Sequence, residues 1–266
     1  MKPGEQFESE ALKYLKNTYS NNCIDYKLRN TADSTMSDIE VYLNGSLSFF
    51  IEVKDSSAQS GQFVLLADEE KKKFVFSPRN KSTANEITEL MVAYMNNDFD
   101  RFYSAGTSGA SLDIDNTIFS SWIKNYYKAK KVSFVISRLN KSFVILPLEK
   151  IDEYFDISAK YRIKKSGSSS PSQKYIQDIK KAFRKLYPSI QYKCENKKLY
   201  ASIAEKLTVE KLFLDKYYYL LAKKDDGSYE IRQLSNTNNM NVIFSLKIKK
   251  EQAIEDLLLF KTAINI

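Results

Sequence analysis

Hydrophobic and polar residues alternate along two short stretches near the start of the chain, residues 39–43 and residues 47–53. In both stretches apolar side chains occupy the odd-numbered positions. A period of two residues is typical of β-strands with one apolar face. Asn44 and Gly45 lie between the stretches, and this dipeptide favours a hairpin turn. The pattern therefore predicts a β-hairpin.

The length of the turn decides which side chains share a face of this hairpin. A strict two-residue Asn-Gly loop pairs Leu43 with Ser46, and it brings odd positions of the first strand together with even positions of the second. That arrangement splits the apolar face. We therefore predict a loop of odd length, for example three residues with Gly45 in the left-handed conformation, which pairs Ile39 with Phe49.

The predicted register places the polar positions of both strands on one face. Two carboxylates, Asp38 and Glu52, and one ammonium group, Lys54, then converge at one end of the hairpin. Mg²⁺ prefers oxygen ligands and is usually held by one or two carboxylates together with phosphate and water. A bound cation polarises phosphate and activates water, and a neighbouring lysine can orient that water. This set indicates phosphodiester hydrolysis; the alternative is a surface hairpin with a solvated charged face.

The spacing of these residues resembles the active-site motif of the PD-(D/E)xK nucleases, which include many type II restriction endonucleases. Asp38 is followed by thirteen residues and then by Glu52-Val53-Lys54 at the end of an apolar strand. In that family the acids bind Mg²⁺ and the lysine serves the attacking water. The resemblance therefore implies Asp38 and Glu52 as metal ligands and Lys54 as the partner of the water. Ser37 stands where the family often has proline.

Three further side chains are candidates for supporting roles by the same resemblance. The helix predicted over residues 4–18 resembles an early helix that often contributes an acid to the metal site, and Glu8 is the candidate for this accessory catalytic acid. Gln59 lies in a small-residue loop predicted over residues 56–61, and Gln62 directly follows this loop. In some members of the family, a glutamine after the motif hydrogen-bonds near the site. For Glu8, the alternative is a solvated glutamate that stabilises the start of the helix. For the two glutamines, the alternative is a plain turn.

The rest of the pattern predicts further strands and helices. The predicted strands are residues 23–29, 63–66, 73–77, 132–137, 142–147, 198–203, 217–222, 229–234 and 242–248. The predicted helices are residues 83–97, with Thr83 as N-cap, and residues 118–131, 172–186 and 251–264. Together they predict an α/β (α+β) fold in which a central mixed sheet is flanked by helices. The resemblance implies the same restriction-endonuclease-like core.

The positive charge of the chain is concentrated in its second part. The net charge is +8, and residues 151–266 hold 22 basic against 14 acidic residues. Within residues 160–198 the balance is 12 basic to 2 acidic. Lysine and arginine neutralise phosphates, and serine and glycine can approach them closely. The candidate DNA-binding residues are Lys160, Arg162, Lys164, Lys165, Ser166 and Ser168; the alternative is a solvated, flexible linker.

These observations suggest two regions. We expect a catalytic core over residues 1–150 and a basic, β-containing region for DNA recognition and dimerisation over residues 151–266. The second region is either separate or continuous with the core.

Several classes of protein are disfavoured by what the sequence lacks. The chain has no histidine, which excludes histidine bases, triads and histidine-bound zinc. Two distant cysteines, Cys23 and Cys194, argue against a disulfide scaffold and favour a reducing, cytoplasmic location. The Gly/Ser segment at residues 105–115 lacks the lysine of a P-loop, so no nucleotide cofactor is expected. No stretch is apolar enough to suggest a membrane segment.

The function expected from the sequence is a Mg²⁺-dependent type II restriction endonuclease that acts on double-stranded DNA. Palindromic sites match two-fold protein symmetry, so a homodimer is expected. One alternative is a nucleic-acid-binding protein without catalysis. Another is a structure-specific repair or recombination nuclease with the same fold.

Overall fold

The helices and strands of the computed structural model lie within residues 3–29, 37–81 and 84–266, the parts of the chain that the structure describes. The α-helices are α1 (Pro3–Tyr19), α2 (Glu86–Asn97), α3 (Phe99–Tyr103), α4 (Asn116–Ala129), α5 (Ile151–Tyr154), α6 (Ile176–Leu186) and α7 (Ile254–Ala263). The strands are β1 (Ile24–Leu28), β2 (Ile39–Leu43), β3 (Ser46–Val53), β4 (Ser57–Asp68), β5 (Lys73–Phe76), β6 (Ala110–Ser111), β7 (Val132–Leu139), β8 (Ser142–Pro147), β9 (Phe155–Lys165), β10 (Ser168–Ser169), β11 (Gln191–Glu195), β12 (Lys198–Ser202), β13 (Lys211–Leu214), β14 (Tyr217–Lys223), β15 (Tyr229–Leu234) and β16 (Asn238–Ile248).

The hairpin predicted from the alternation lies in the middle of a five-stranded mixed sheet with the strand order β1-β2-β3-β7-β8. β3 runs parallel to β7, whereas the other neighbouring strands are antiparallel. Ile39, Val41 and Ile51 are fully buried and belong to one apolar cluster with side chains of α1 and α7. The apolar face of the hairpin is therefore the core face of this sheet.

The turn of this hairpin has two residues, so the predicted loop of odd length is wrong. Leu43 pairs with Ser46, and Asn44 and Gly45 between them have φ values of +50° and +79°. A two-residue turn with positive φ at both positions matches the twist of the strands and strongly favours Asn-Gly. The local preference of this dipeptide therefore decides the loop length.

A β-bulge restores the apolar face of the hairpin beyond this turn. Tyr42 pairs with Leu47 and Val41 pairs with Phe49, so Ser48 is the extra residue of β3. One inserted residue exchanges the two faces of the strand beyond it. Beyond the bulge, odd positions of both strands therefore share the core face, whereas Leu47, which precedes the bulge, pairs with Tyr42 and is exposed. The pairing partner of Ile39 is Ile51 rather than the predicted Phe49.

A second five-stranded sheet has the order β5-β4-β16-β9-β6, and α4 packs against it. Trp122 of α4 stacks on Phe244 of β16 with ring centroids 4.1 Å apart. Gly61 in β4 has a φ of +77°, and a Cβ there would lie 2.7 Å from Trp122 Cζ3. Only glycine allows this approach. Residues 57–61 belong to β4, so the loop predicted over residues 56–61 is wrong.

The chain divides into two compact units. Unit 1 comprises Met1–Arg162 and Asn241–Ile266, and unit 2 comprises Ile163–Met240. The predicted division after residue 150 does not coincide with these boundaries. The difference arises because β9 and β16 pair with each other in the second sheet, and because α7 packs against β8. The last helix therefore completes unit 1.

Unit 2 is an antiparallel sheet with one helix on one face. The strand order is β11-β12-β15-β14-β13, and the short β10 pairs with β15. Ile179 and Phe183 of α6 are fully buried and pack in one cluster with Leu199, Tyr219 and Ile231 of the sheet. Unit 2 therefore has an apolar core of its own.

The predicted fold class is confirmed: a mixed sheet and two further sheets are flanked by helices. The helix predicted to begin near residue 83 begins at Glu86, where the Asn85 side chain accepts a hydrogen bond from the Thr88 amide. The predicted N-cap, Thr83, lies outside the described residues. In the described part of the chain, no helix combines the length and the apolar character needed to cross a membrane.

Candidate active site

Three of the residues singled out from the sequence meet at the end of the β2–β3 hairpin. Asp38 directly precedes β2, Glu52 is near the end of β3, and Lys54 follows β3. Because Ile39 pairs with Ile51, the next residues outward on the two strands are Asp38 and Glu52. Lys54 Nζ lies 2.5 Å from Glu52 Oε1 and 4.0 Å from Asp38 Oδ2. Two carboxylates and one ammonium group therefore share a small volume.

The two carboxylates differ in how their oxygens are satisfied. Asp38 Oδ2 accepts a hydrogen bond of 2.8 Å from the backbone N–H of Val53. Glu52 is only 4% exposed, and its Oε2 has no hydrogen-bond partner among the described residues. A buried carboxylate oxygen without a donor is costly unless a cation or water satisfies it. This oxygen is therefore the natural point of attachment for a hard cation.

The surroundings of Asp38 raise the pKa of its carboxyl group. Burial, and next the neighbouring Glu52, raise the pKa of Asp38 to about 7, although Lys54 and the Val53 N–H act in the opposite direction. Like charges that share a buried site disfavour ionisation of both groups. A divalent cation would remove this repulsion.

The surroundings of Lys54 favour the charged form of its side chain. Burial lowers the pKa of Lys54, but the Glu52 and Asp38 carboxylates outweigh burial and hold this pKa well above its ordinary value. The side chain is therefore an ammonium group at neutral pH. A protonated lysine donates hydrogen bonds and cannot accept a proton, so it can orient a water or an anionic oxygen.

Glu8 on α1 lies within electrostatic range of these groups. Burial raises the pKa of Glu8; among its neighbours, Lys54 lowers this pKa and Glu52 raises it. The nearby Glu10 forms an ion pair of 2.9 Å with Arg138 of β7. Arg138 also lies 3.4 Å from Asp55. This arginine connects α1 with the chain just after Lys54, and it was not singled out from the sequence.

Tyr127 and Ser60 also border the site, and neither was singled out from the sequence. Tyr127 lies on α4 and is 1% exposed, and its hydroxyl hydrogen-bonds with the Ser60 hydroxyl of β4. The Tyr127 ring centroid is 6.0 Å from Lys54 Nζ. Burial raises the pKa of the Tyr127 hydroxyl well above its ordinary value, so the hydroxyl is neutral. The only sequence signal was the position of Tyr127 four residues after the buried Ile123.

Gln59 and Gln62 lie on β4 rather than in a loop. Both line a cleft of about 620 Å³, which is also bordered by Arg79 and Lys130. The Gln62 side chain accepts a 3.1 Å hydrogen bond from Asn241. The structure therefore places the two glutamines at a cleft and shows no hydrogen bond between them and the two carboxylates.

The candidate DNA-binding residues begin on β9. Lys160, Arg162 and Lys164 occupy alternate positions of this strand, and they form no ion pair within the described residues. Ser166 hydrogen-bonds with Ser235 and Thr237. Ser168 lies in β10 and accepts a 2.7 Å hydrogen bond from Arg232 Nε. Ser166 and Ser168 are therefore tied to later residues of unit 2, which argues against the alternative of a solvated, flexible linker.

The number of possible metal ligands is small. Among residues 3–29, 37–81 and 84–266, no group of three or more acidic, cysteine or histidine side chains has a metal-binding arrangement. Asp38 and Glu52 supply two carboxylates, which is the usual protein contribution to a Mg²⁺ site that also uses substrate phosphate and water. The donor set therefore fits Mg²⁺ better than a metal that needs nitrogen or sulfur ligands.

Comparison with known proteins gives one informative likeness. No family model matches the chain, and no curated protein matches it. Among solved structures, the chain is similar to one described as HhaI endonuclease in complex with DNA. The two chains are 35% identical, the match covers 98% of this chain and 99% of that chain, and the TM-score is 0.73. The likeness therefore includes both units.

Proposed function

This chain belongs to the family of the HhaI endonuclease, and from this premise we propose that it is a Mg²⁺-dependent type II restriction endonuclease that cleaves double-stranded DNA at a specific short site. The observation that carries the proposal is the meeting of Asp38, Glu52 and Lys54 at one end of the β2–β3 hairpin. This arrangement also supports membership of the PD-(D/E)xK nucleases.

Asp38 and Glu52 are the proposed metal ligands. Two observations support this assignment: Glu52 Oε2 is buried without a hydrogen-bond partner among the described residues, and the neighbouring carboxylate helps to raise the pKa of Asp38. When bound, Mg²⁺ stabilises negative charge on the phosphate and lowers the pKa of a water. The chain offers no histidine, so oxygen ligands are the available choice.

Lys54 is proposed to position the attacking water rather than to deprotonate it. Its raised pKa keeps it charged, and its ion pair with Glu52 fixes the ammonium group next to the metal ligands. An oriented donor in a buried site stabilises charge that develops on phosphate oxygens. Glu8 is proposed as an accessory acid, because Lys54 and Glu52 both influence its pKa.

The exposed end of β9 is proposed to contact the DNA backbone. The cationic side chains on this segment can neutralise phosphates. Ser166 donates to the Thr237 carbonyl and must give up this hydrogen bond to donate to a phosphate, whereas Ser168 accepts from Arg232 and keeps its own hydroxyl proton to donate. The proposed contact residues are Lys160, Arg162, Lys164, Lys165, Ser166 and Ser168.

Digestion of mixed-sequence plasmid DNA with Mg²⁺, followed by sequencing of the ends, tests this function. Discrete fragments with one common end sequence are expected, and Lys54→Ala should leave the plasmid intact. DNA binding without cutting would indicate the non-catalytic protein instead. Cutting that requires flaps or junctions would indicate a repair or recombination nuclease.

The homodimer stays a prediction based on the symmetry of palindromic sites. Light scattering after size exclusion, with and without a duplex that contains the mapped site, measures the number of chains per complex. Two chains per site are expected, and one chain per site would contradict the prediction.

A further inference from the structure

Arg138 on β7 joins two segments that flank the carboxylates of the candidate active site. Its Nη1 donates a hydrogen bond of 2.9 Å to Glu10 of α1, and its Nη2 lies 3.4 Å and 3.5 Å from the two carboxylate oxygens of Asp55. Asp55 directly follows Lys54, and Glu10 lies two residues after Glu8. One guanidinium group therefore bridges the helix that carries Glu8 and the chain next to Lys54.

The same guanidinium group packs against the start of α1. Its central carbon lies 4.7 Å from the ring centroid of Phe7, the residue before Glu8, and a cation over an aromatic ring is attracted to it. Phe7 is buried and also stacks on Phe143 of β8, with ring centroids 5.9 Å apart. Arg138 and Phe143 pair across β7 and β8. The Phe7 ring therefore rests on one cross-strand pair of the sheet.

The backbone of β7 holds the other side of the bridge. The Lys54 N–H donates a 2.9 Å hydrogen bond to the Ile136 carbonyl. Arg138 lies two positions after Ile136, and Asp55 lies two positions after Val53, so each side chain points to the same face as the earlier residue. Ile136 and Val53 belong to the apolar cluster that also contains side chains of α1. The contact between Arg138 and Asp55 therefore extends the pairing of β3 and β7 past Lys54.

The contribution of this bridge to folding stability should be small. The side chains of Arg138, Glu10 and Asp55 are 35%, 40% and 39% exposed. Ion pairs that are this exposed to water contribute little to stability. Arginine nevertheless holds its donors in a planar fork that can meet two carboxylates at once. Such a bridge is better suited to fixing the distance between two segments than to stabilising the fold.

We propose that Arg138 is a positioning residue for the cleavage reaction, which holds Glu8 and Lys54 in place beside the metal ligands. It does so through the bridge between α1 and the end of β3. The inference rests on the proposed function, because Glu8 and Lys54 take part only in that reaction. It gives Arg138 no contact with DNA and no part in the chemical step.

Removal of the bridge should slow cleavage, because small displacements in a catalytic site have large kinetic effects. We expect Arg138→Gln to reduce the single-turnover rate at saturating DNA by about 10- to 100-fold, since a misplacement of about 1 Å can cost about 10²-fold. Arg138→Lys keeps the charge but loses the fork. Its rate should fall between those of wild type and Arg138→Gln, and a rate equal to that of Arg138→Gln would show that charge without the fork gives no rescue.

Arg101→Gln is the matched control. Arg101 also bridges two acids of unit 1, because its Nη2 lies 2.8 Å from Asp113 and its Nη1 lies 3.7 Å from Asp98. Its side chain is 40% exposed, which is close to the value for Arg138. Both variants lose one charge and one bridge, so their melting temperatures should fall by similar amounts, up to about 4 °C. Only Arg138→Gln should slow cleavage, and an equal loss of rate in Arg101→Gln overturns the proposal.

A double variant tests whether Arg138 acts through Glu10. Glu10→Gln removes the α1 side of the bridge and should slow cleavage by about threefold to tenfold. In the Arg138→Gln background the same change should add less than about twofold, because the bridge is already absent. If the two losses multiply instead, the two residues act independently and the proposal is overturned.

DNA affinity in the absence of divalent cations separates positioning from a direct contact with the substrate. The slope of log K against log salt changes by about 0.9 for each phosphate that a protein no longer neutralises. We expect Arg138→Gln to keep the wild-type affinity and slope for a mixed-sequence duplex. A slope that is smaller in magnitude by about 0.9 would show that Arg138 binds phosphate itself, which overturns the proposal.

Hydrogen exchange of the metal-free protein measures the bridge without cleavage. The amides of α1 around Glu8 should exchange at least about threefold faster in Arg138→Gln, because the start of the helix opens more often. The same amides should keep their wild-type rates in Arg101→Gln. Unchanged exchange in Arg138→Gln would show that the bridge does not hold α1, and it overturns the proposal.

The two kinds of measurement also separate this proposal from the proposed function. If wild-type protein cuts DNA but Arg138→Gln exchanges and cuts at wild-type rates, only the positioning role is rejected. If wild-type protein never cuts DNA while Arg138→Gln exchanges faster at α1, the nuclease function is rejected. The role of Arg138 in cleavage is then rejected with it, although the bridge itself is real.

Discussion

Lys54 Nζ lies 2.5 Å from Oε1 of Glu52, whereas Oε2 of the same carboxylate is buried with no hydrogen-bond partner among the described residues. One oxygen of Glu52 therefore holds the lysine, and the other is available to a metal ion. The end of β3 and the residue that follows it therefore supply both a proposed metal ligand, Glu52, and a hydrogen-bond donor, Lys54.

Lys54→Ala should abolish most of the cleavage while leaving DNA binding intact. Removal of one oriented donor from a buried catalytic site typically costs about 10²–10³-fold in rate, and we expect a loss of at least this size in single-turnover cleavage. Lys128→Ala is the control, because Lys128 pairs with Glu149 at the surface. A Lys54→Ala protein that cuts at the wild-type rate would contradict the proposed role.

The affinity for Mg²⁺ should increase with pH up to about pH 7. The pKa of Asp38 is raised to about 7 in the folded, metal-free protein, compared with about 3.9 in an unfolded chain. The folded state therefore binds the proton more tightly, so the stability of the metal-free protein falls as the pH rises through this window. Mg²⁺ requires the ionised carboxylate, so its apparent affinity should fall by up to about tenfold per pH unit below pH 7.

Calorimetric titration with Mg²⁺ at several pH values measures this dependence. The chain contains no histidine, so no ordinary imidazole can produce a titration in the same range. Asp38→Asn should bind Mg²⁺ weakly and should remove the pH dependence. A wild-type affinity that is equal at pH 5.5 and pH 7.5 would show that Asp38 does not titrate as described.

Tyr127 and Ser60 should stabilise the protein as a pair. Tyr127→Phe keeps the ring beside Lys54 but leaves the Ser60 hydroxyl without its partner, which should cost about 1–2 kcal/mol in the free energy of unfolding. Ser60→Ala should cost a similar amount. The double variant should lose clearly less than the sum, since the two hydroxyls satisfy each other. Chemical denaturation measures all three values, and strict additivity would show that the hydroxyls act independently.

The sequence predicted the elements of the site better than the way in which they meet. Alternation along residues 39–43 and 47–53 was sufficient to locate the strands and the face that carries the acids, because one side of each strand had to be buried. The hydrogen bond between Ser60 and Tyr127 joins residues 67 positions apart. No local pattern contains that information, since it depends on how the second sheet packs against α4.

The segment that begins at Lys160 also has long-range contacts that the local sequence does not predict. Its composition left a solvated, flexible linker as an alternative, but Ser166 and Ser168 bond to residues of unit 2 that lie more than sixty positions later. Polar composition alone does not distinguish a solvated loop from one whose hydroxyls have distant partners.

Deletion of Ser48 should be tolerated, because this residue is the insertion that forms the bulge in β3. Ser48 is exposed, and the pairs on either side of it are Tyr42 with Leu47 and Val41 with Phe49. Without Ser48 these pairs become consecutive, and the two-residue turn and the position of Glu52 stay the same. We expect a soluble protein that still cleaves DNA, with a melting temperature within about 4 °C of wild type.

Deletion of Phe50 is the matched control for this prediction. Phe50 lies beyond the bulge and is 5% exposed, and it pairs with Glu40 in β2 and with Val132 in β7. Its removal shifts Glu52 by one position against both neighbours and turns buried side chains toward the polar face. This variant should lose cleavage and fold poorly. If deletion of Ser48 is as damaging as deletion of Phe50, the bulge is not a separable insertion and contributes directly to the geometry of the acids.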